Sequence, residues 1–509
     1  MSEIELKFGV PDGAAPAVDR ALRQLGARSQ TIESRYWDTV DARLAAAHLA
    51  LRLRKSGGRW EQTLKGPGPN AVERLEETVP RRGAWDKEGP DTDLSLHVGS
   101  EGGALLQAAL TPHGAGPAPL LLVHRSVVRR RALEVIAAGG TVEIAFDRGV
   151  IEAGGASLPV CEVEIELKGG EPTVLIGFGR ANADAHGMWL STLSKAARGE
   201  RLARATQGSS PSRAVKARPA ALDREMSGQD IFRALVASCL EQVLANASVL
   251  AAGTLDDDAV HQLRVGLRRL RTAWRELEPW RGSLSPHWEA PAKEVFRSLG
   301  EYRDRHSIAA AMQQHLATAG SPDPTLRPAA TGADIDPVAL VRGAAFQHAL
   351  LDLLAFVLAP PSLGEAGASA LDHASAERPD HTIASRLDKL HARLKRDAGR
   401  FDRLDEPHRH QVRKRLKRLR YLSELVRPRY RGVGRFLKRL EPAQDQLGHY
   451  MDIIVATSLA HDVVAAGDTR GWFNVGWLKA QMPDAIGRCK RALRQVAEAR
   501  PFWRNVDAR

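Results

Sequence analysis

The chain has 509 residues, 43% hydrophobic and 26% charged, an ordinary balance for globular protein and enough for two or more domains, each with its own core. The formal net charge is +12, yet residues 1–205 hold 26 Lys+Arg against 26 Asp+Glu, so the whole excess lies in the remainder. A neutral first part with internal charges of both signs, followed by a surface for polyanions, is the expectation; Cys161, Cys239 and Cys489 are too scattered for a disulfide framework or a metal spacing.

Side chains alternate across a strand, so Glu3, Glu5 and Lys7 share one face while Ile4 and Leu6 share the other. Glu162, Glu164, Glu166 and Lys168 repeat the pattern late in the same region. Between them, Gly13–Leu25 reads as a short helix and Tyr36–Thr39 as a strand. Leu49–Lys55 presents Arg52 and Arg54 on one face, turns at Gly57-Gly58 and pairs with Arg59–Leu64, which ends at Lys65-Gly66. Glu73–Val79 puts Arg74 and Glu76 together. Leu120–Val135 has Arg125, Arg129 and Arg131 on one face and Arg130 on the other, and Thr141–Ile151 carries Glu143 and Asp147. About eight strands with charge on a single parity predict a closed antiparallel barrel with a polar lumen. Facing acidic strands there make an oxygen-rich site for hard divalent cations, with basic side chains beside it for an anion.

The order of Glu3-x-Glu5-x-Lys7, Tyr36-x-Asp38-Thr39, Arg52-x-Arg54, Thr63-Leu64-Lys65-Gly66, Arg74-x-Glu76, Asp147-x-Gly149, Glu162-x-Glu164-x-Glu166-x-Lys168 and Leu193–Gly199 resembles the CYTH family, the triphosphate tunnel metalloenzymes, across roughly residues 1–205. The resemblance implies hydrolysis of a linear triphosphate, inorganic triphosphate above all, with Glu3, Glu5, Lys7 and Lys65 catalytic. It implies Mg²⁺ or Mn²⁺ on Glu3, Glu5, Glu162, Glu164 and Glu166, and phosphate oxygens on Lys7, Arg52, Arg54, Lys65, Arg74, Arg129, Lys168 and Lys195. Thr78 stands where a further glutamate is expected, so that strand is assigned no metal ligand. Lys195 either enters the tunnel from a helix or caps it; Arg130 or Arg131 is expected outward, and Glu76, Glu143 and Asp147 hold metal or orient arginines.

Residues 206–222, rich in Ser, Pro and basic side chains, read as a linker, and 223–509 as an all-α domain, making an α+β two-domain protein. An internal repeat organises the second half. His261, Arg264, Arg268 and Arg271 recur as His410, Arg413, Lys417 and Arg420, and Leu299-Gly300 with Arg303-Asp304 is echoed by Leu447-Gly448 with Asp452. This predicts two helical units in pseudo-twofold relation. Leu263, Leu267, Leu270 and Trp274 form a core stripe opposite a basic one about 15 Å long. The repeat resembles the CHAD family over roughly residues 223–500, which implies inorganic polyphosphate binding by His261, Arg264, Arg268, Arg271, Arg303, His410, Arg413, Lys417 and Arg420.

Metal chelation by the histidines ranks lower because of their cationic neighbours. Nucleic-acid binding is disfavoured, since the stripes contain no aromatic residue to stack bases. A cyclase lacks an evident base pocket. The alternative to a triphosphatase is a weakly catalytic or non-catalytic polyphosphate-binding protein, targeted to polyphosphate granules. No apolar run of about 18 residues is expected to span a membrane, and the start lacks the pattern of a secretory leader, so a cytoplasmic location is expected. Oligomeric state has no signature in the sequence.

Overall fold

The computed structural model describes residues 2–68, 70–83, 85, 89–111, 118–137, 139–209, 214–303, 308–326, 335–359 and 378–504. It divides into two compact units: Met1–Val215 with Leu240–Gln262 and Val341–Ala359, and Lys216–Cys239 with Leu263–Leu340 and Pro360–Arg509. Asp304 and most of the loop Pro360–Pro379 lie outside the described residues.

The first unit is built on β1 (Ser2–Gly9), β2 (Arg28–Asp38), β3 (Ala50–Ser56), β4 (Arg59–Gly66), β5 (Glu73–Arg81), β6 (Leu121–Ala137), β7 (Gly140–Ala153) and β8 (Ala156–Gly170). Their order is β5-β4-β3-β2-β6-β7-β8-β1, and β1 pairs back onto β5, closing an eight-stranded antiparallel barrel as the alternation predicts. A two-residue strand, β9 (Trp189–Leu190), adds to β1 at Phe8 and Gly9. Closure leaves only this short edge to manage.

The barrel is apolar outside and charged inside. Leu6, Leu51, Leu64, Ile144, Phe146 and Ile165 are buried on the outer face. Helices α1 (Ala15–Gln24), α2 (Arg43–Ala46), α3 (Glu101–Leu110) and α4 (Pro172–His186) cover the wall. Leu44, Leu106 and Leu110 pack on Leu51 and Leu64. Gly179 of α4 lets that helix settle on Leu6 and Phe8, since a Cβ there would stand 3.0 Å from the leucine. One end of the lumen is apolar: Ile32, Val128, Ile151 and Val160 cluster against Leu202 of α5 (Lys195–Thr206).

The helices of the remaining chain are α6 (Gly228–Ala251), α7 (Asp257–Glu276), α8 (Glu289–Arg303), α9 (Ala309–Thr318), α10 (Pro337–Arg342), α11 (Ala344–Leu358), α12 (Pro379–Arg400), α13 (Glu406–Leu425), α14 (Val433–Ala465) and α15 (Gly471–Glu498). Helices α10 and α11 are separate because Gly343 adopts ψ 132° between them. The core stripe holds: Leu263, Leu267, Leu270 and Trp274 are all buried, as are Val412, Leu416 and Leu419 in the second copy. Helix α6 is long and apolar enough to cross a membrane, with mean hydropathy 1.5, but 78% of that window is buried inside the fold, which marks a core helix. Its apolar residues are interspersed with polar ones and few charges, so the helix passes on average hydropathy without containing an unbroken apolar run.

Candidate functional site

Cross-strand partners share a face, and the register lines the lumen in a ring. Glu3 stands opposite Arg74, Lys65 opposite Glu76, Arg52 opposite Thr63, Lys7 opposite Glu164, Glu5 opposite Glu166, and Asp147 opposite both Glu162 and Arg130.

On the β6–β8 side, Asp147, Glu162 and Glu164 bring ligand oxygens within 4.8 Å of one another. Three hard carboxylates at that separation could hold a divalent metal ion. Cations hold the cluster together. Lys195 Nζ lies 2.7 Å from Asp147 and 3.0 Å from Glu164, and it also pairs with Glu162. Lys7 Nζ is 3.1 Å from Glu164. Arg130 donates to Asp147 at 2.8 and 2.7 Å and pairs with Glu164, while Arg198 pairs with Glu162. Burial alone would raise Glu164 and Asp147; Lys195 and Arg130, with Lys7 for Glu164, hold both below the usual carboxylate range. The same lattice raises Lys195 and Arg130 against the effect of burial. Lys195 enters from the first turn of α5, where Ser194 caps the helix by accepting from the Ala197 amide at 3.1 Å. This settles the alternative left open by the sequence.

Across the lumen, burial and a hydrogen bond with Glu76 push Glu3 up to about 9, against the pull of Lys65. Burial would raise Glu76 as well, but its bond with Glu3 and the charges of Lys65 and Arg52 bring it down to about 2. Glu3 is thus the member of the pair drawn toward its protonated form, with Lys65 Nζ 3.6 Å from Glu3 and also paired with Glu76. Glu5 lies 3.6 Å from Lys7, and Glu166 2.6 Å from Lys168, which it raises above the usual lysine value. Glu162 and Glu164 thus meet Asp147, while Glu3, Glu5 and Glu166 stay outside that cluster.

Arg52 sits 3.6 Å from Glu76 and donates to Thr63 Oγ1 at 3.3 Å. Arg54 makes no ion pair among the described residues, and the Nε atoms of Arg52 and Arg54 are buried without a partner. Burial, then Arg52 and Arg130, bring Arg54 down to about 10. A buried guanidinium flanked by its own kind is a place for an anion. Arg74 Nη2 donates to the Thr192 carbonyl at 3.2 Å.

One expectation on β6 is reversed. Arg129 faces outward, 56% exposed and 3.6 Å from Asp19 of α1, so it does not line the lumen. Arg130 is the inward arginine, and of Arg130 and Arg131 it is Arg131 that lies outside, bonded to Asp19 at 2.9 Å. Both parities of β6 carry arginine, so alternation alone could not choose. Opposition to Asp147, a motif residue, was the available signal. Arg198 lies in the Leu193–Gly199 motif, where no local pattern marks it as the partner of a carboxylate.

In the second unit, α8 supplies an aromatic partner that the stripe itself lacks. Guanidinium carbons of Arg264, Arg268 and Arg271 lie 4.7, 5.0 and 5.8 Å from the Phe296 ring centre. Arg264 Nη1 donates to the Phe296 carbonyl at 2.9 Å, and a Cβ on Gly300 would stand 2.2 Å from that nitrogen. Gly300 is there to admit an arginine. Lys417 is driven down to about 5 by burial and then by Arg268, Arg413, Arg264 and Arg303, so cations from both repeats converge on it. Burial and Lys414, Arg413 and Lys417 lower His410. The stripe's ends are partly neutralised: Arg271 lies 4.0 Å from Glu289, and Arg420 pairs with Glu424 at 2.6 Å. His261, in the second turn of α7, falls in the first unit.

Family comparison divides the chain differently from the compact units, since residues 240–262 and 341–359 of the first unit fall within the second family match. Residues 1–199 match the CYTH domain and residues 234–461 the CHAD domain. Among solved structures, the CHAD domain from the plant Ricinus communis is 22% identical, covering 55% of this chain and 96% of its own, with a TM-score of 0.43. HpAC1 from Hippeastrum, described with a dominant triphosphatase activity, is 19% identical over 38% of this chain and 91% of its own, TM-score 0.27. PH1819 from Pyrococcus horikoshii is 18% identical over 36% and 89%, TM-score 0.23. The chain carries a CYTH domain followed by a CHAD domain.

Proposed function

We propose that the barrel hydrolyses inorganic triphosphate, or a compound ending in a linear triphosphate, with the help of Mg²⁺ or Mn²⁺, and that the helical half binds inorganic polyphosphate. The carrying observation is the juxtaposition, in one closed lumen, of a three-carboxylate cluster and the buried Arg54. The CYTH match supports hydrolysis of a triphosphate in general.

Phosphoryl transfer asks a protein for alignment and charge more than for covalent chemistry. Lys7, Arg52, Arg54, Lys65 and Arg74 hold and align phosphate oxygens, and the arginines can do so with two donors each. Asp147, Glu162 and Glu164 would hold a divalent cation, with Glu3 and Glu5 on β1, the strand paired beside β8. Bound there, the cation supplies charge neutralisation of the phosphoryl oxygens. Lys195 and Arg130 keep Asp147 and Glu164 ionised, and Arg198 fixes Glu162.

The helical reading is supported by the gathering of Arg264, Arg268 and Arg271 about the Phe296 ring and by the charges of Arg264, Arg268, Arg303 and Arg413, from both repeats, acting on the buried Lys417 side chain. A second reading has one observation in its favour. Lys195 Nζ already occupies the middle of the carboxylate cluster, so an internal ammonium could stand in for the cation and leave a weakly catalytic, polyphosphate-binding protein. Phosphate release from inorganic, thiamine and nucleoside triphosphates, with Mg²⁺, Mn²⁺ or chelator, separates the readings. Metal-stimulated release favours the first; tight polyphosphate binding with background release favours the second.

A further inference from the structure

The segment that delivers Lys195 into the lumen is held from outside the barrel sequence. Its residues 189–192 run beside β1: β9 pairs with Phe8 and Gly9, and the Ser191 amide donates to the Lys7 carbonyl at 2.8 Å. Two side chains, one from the part of α6 that belongs to the first compact unit and one from α11, fix it. Gln347 is 3% exposed; its Oε1 accepts from the Leu190 amide at 2.7 Å while its Nε2 donates to the Val341 carbonyl at 2.6 Å. Ser248 is 2% exposed; its hydroxyl donates to the Leu244 carbonyl at 2.6 Å and accepts from the Thr192 amide at 2.9 Å.

The far side of the same residue, the Thr192 carbonyl, accepts from Arg74 in the lumen. One residue therefore joins a serine on α6 to a tunnel arginine, and three residues later the chain starts α5 with Lys195. The Arg342 guanidinium lies 3.7 Å from the Trp189 ring centre and bonds the Ala251 carbonyl, closing the clamp at its other end.

We propose that Ser248 and Gln347 are positioning residues for the tunnel, setting the Arg74 guanidinium and the Lys195 ammonium through Thr192 and Leu190. Arg74 and Lys195 are placed correctly only when helices encoded after residue 220 hold the loop. The inference rests on the triphosphate reading for its functional consequence but not for its geometry.

The test uses the full chain. In Ser248→Ala, the triphosphate KM rises about fivefold, the worth of roughly one buried hydrogen bond, with kcat altered less than about twofold. Ser248→Thr restores the wild-type value. In the Arg74→Ala background the Ser248→Ala effect vanishes, because the serine acts through that arginine. Gln347→Leu gives a smaller rise in KM. A readout without ligand accompanies these: phenylglyoxal modifies Arg74 several-fold faster in Ser248→Ala, mapped by peptide mass. If wild type releases no phosphate but Arg74 reactivity still rises, the positioning claim stands and the triphosphatase reading falls. Unchanged Arg74 reactivity, or effects of Ser248→Ala and Arg74→Ala that simply add, overturns the positioning claim.

Discussion

The lumen and the basic stripe are both crowded with cations, and they differ in what answers the charge. Lys7, Arg130 and Lys195 each face carboxylates within ion-pair distance, and that lattice holds Arg130 and Lys195 in their charged forms. Lys417 meets burial together with Arg264, Arg268, Arg303 and Arg413, and it is pushed toward the neutral form. A balanced lattice can exchange partners, carboxylates to a metal ion and cations to phosphate, with little change of net charge. An unbalanced cluster stores repulsion that an external polyanion relieves. Among the described lumen residues, Arg54 comes nearest to the stripe in character.

The largest expected effect breaks the lattice. Glu164→Gln should lower metal-dependent phosphate release by about 100-fold or more, since a ligand oxygen and the partner of three cations go together. Polyphosphate retention by the same variant should be unchanged; a parallel loss would mean the two regions are not separable.

Replacing His261, Arg264, His410 and Arg413 together with Ala is the complementary break. Polyphosphate affinity should fall on the order of 100-fold at low salt, and its salt dependence should flatten by about 0.7 for each phosphate left unneutralised. Triphosphate turnover should hold. Equal retention by the variant would remove the channel.

Lys417 sharpens the contrast. Burial and the surrounding arginines push Lys417 down to about 5, toward the neutral form, and a bound polyanion would draw it back toward the charged one. Polyphosphate binding should therefore take up about one proton, read by calorimetry in buffers of different ionisation heat, and Lys417→Met should abolish the uptake. Zero uptake in wild type would show the stripe already fully charged.

The smallest effect lies where α5 packs on β6. His124 stacks on Tyr36 at 4.4 Å, Gly199 leaves it room, and burial lowers it to about 4 from 6.5. The folded value lies below the unfolded one, so the unfolded chain binds more protons between these limits. The stability His124 allows is present above pH 6.5 and is lost as pH falls toward 4. His124→Phe, which keeps a ring on Tyr36, should flatten the Tm–pH curve in that window by several degrees, on the order expected for about 3 kcal/mol. Identical curves would contradict it.

Much of the barrel was legible because alternation and motif order agree: Glu3, Glu5, Lys7, Arg52, Arg54, Lys65, Glu162 and Glu164 all line the lumen. Alternation says which residues share a face and not which face is inside, and that is why the expectation for Arg129 is reversed. The outer arginines are satisfied by Asp19 on another element, a pairing with no local signature. The joining of α6 and α11 to the first unit depends on Ser248 and Gln347 meeting residues 56 and 157 positions away. Phe296 near the stripe is likewise a product of packing.

The most direct measurement is Mn²⁺ binding to the full chain, followed by electron paramagnetic resonance with and without triphosphate, in wild type and Glu164→Gln. Saturable binding in wild type, tightened by triphosphate and lost in the variant, is the predicted result. Equal binding in both proteins would show that Asp147, Glu162 and Glu164 do not hold the cation.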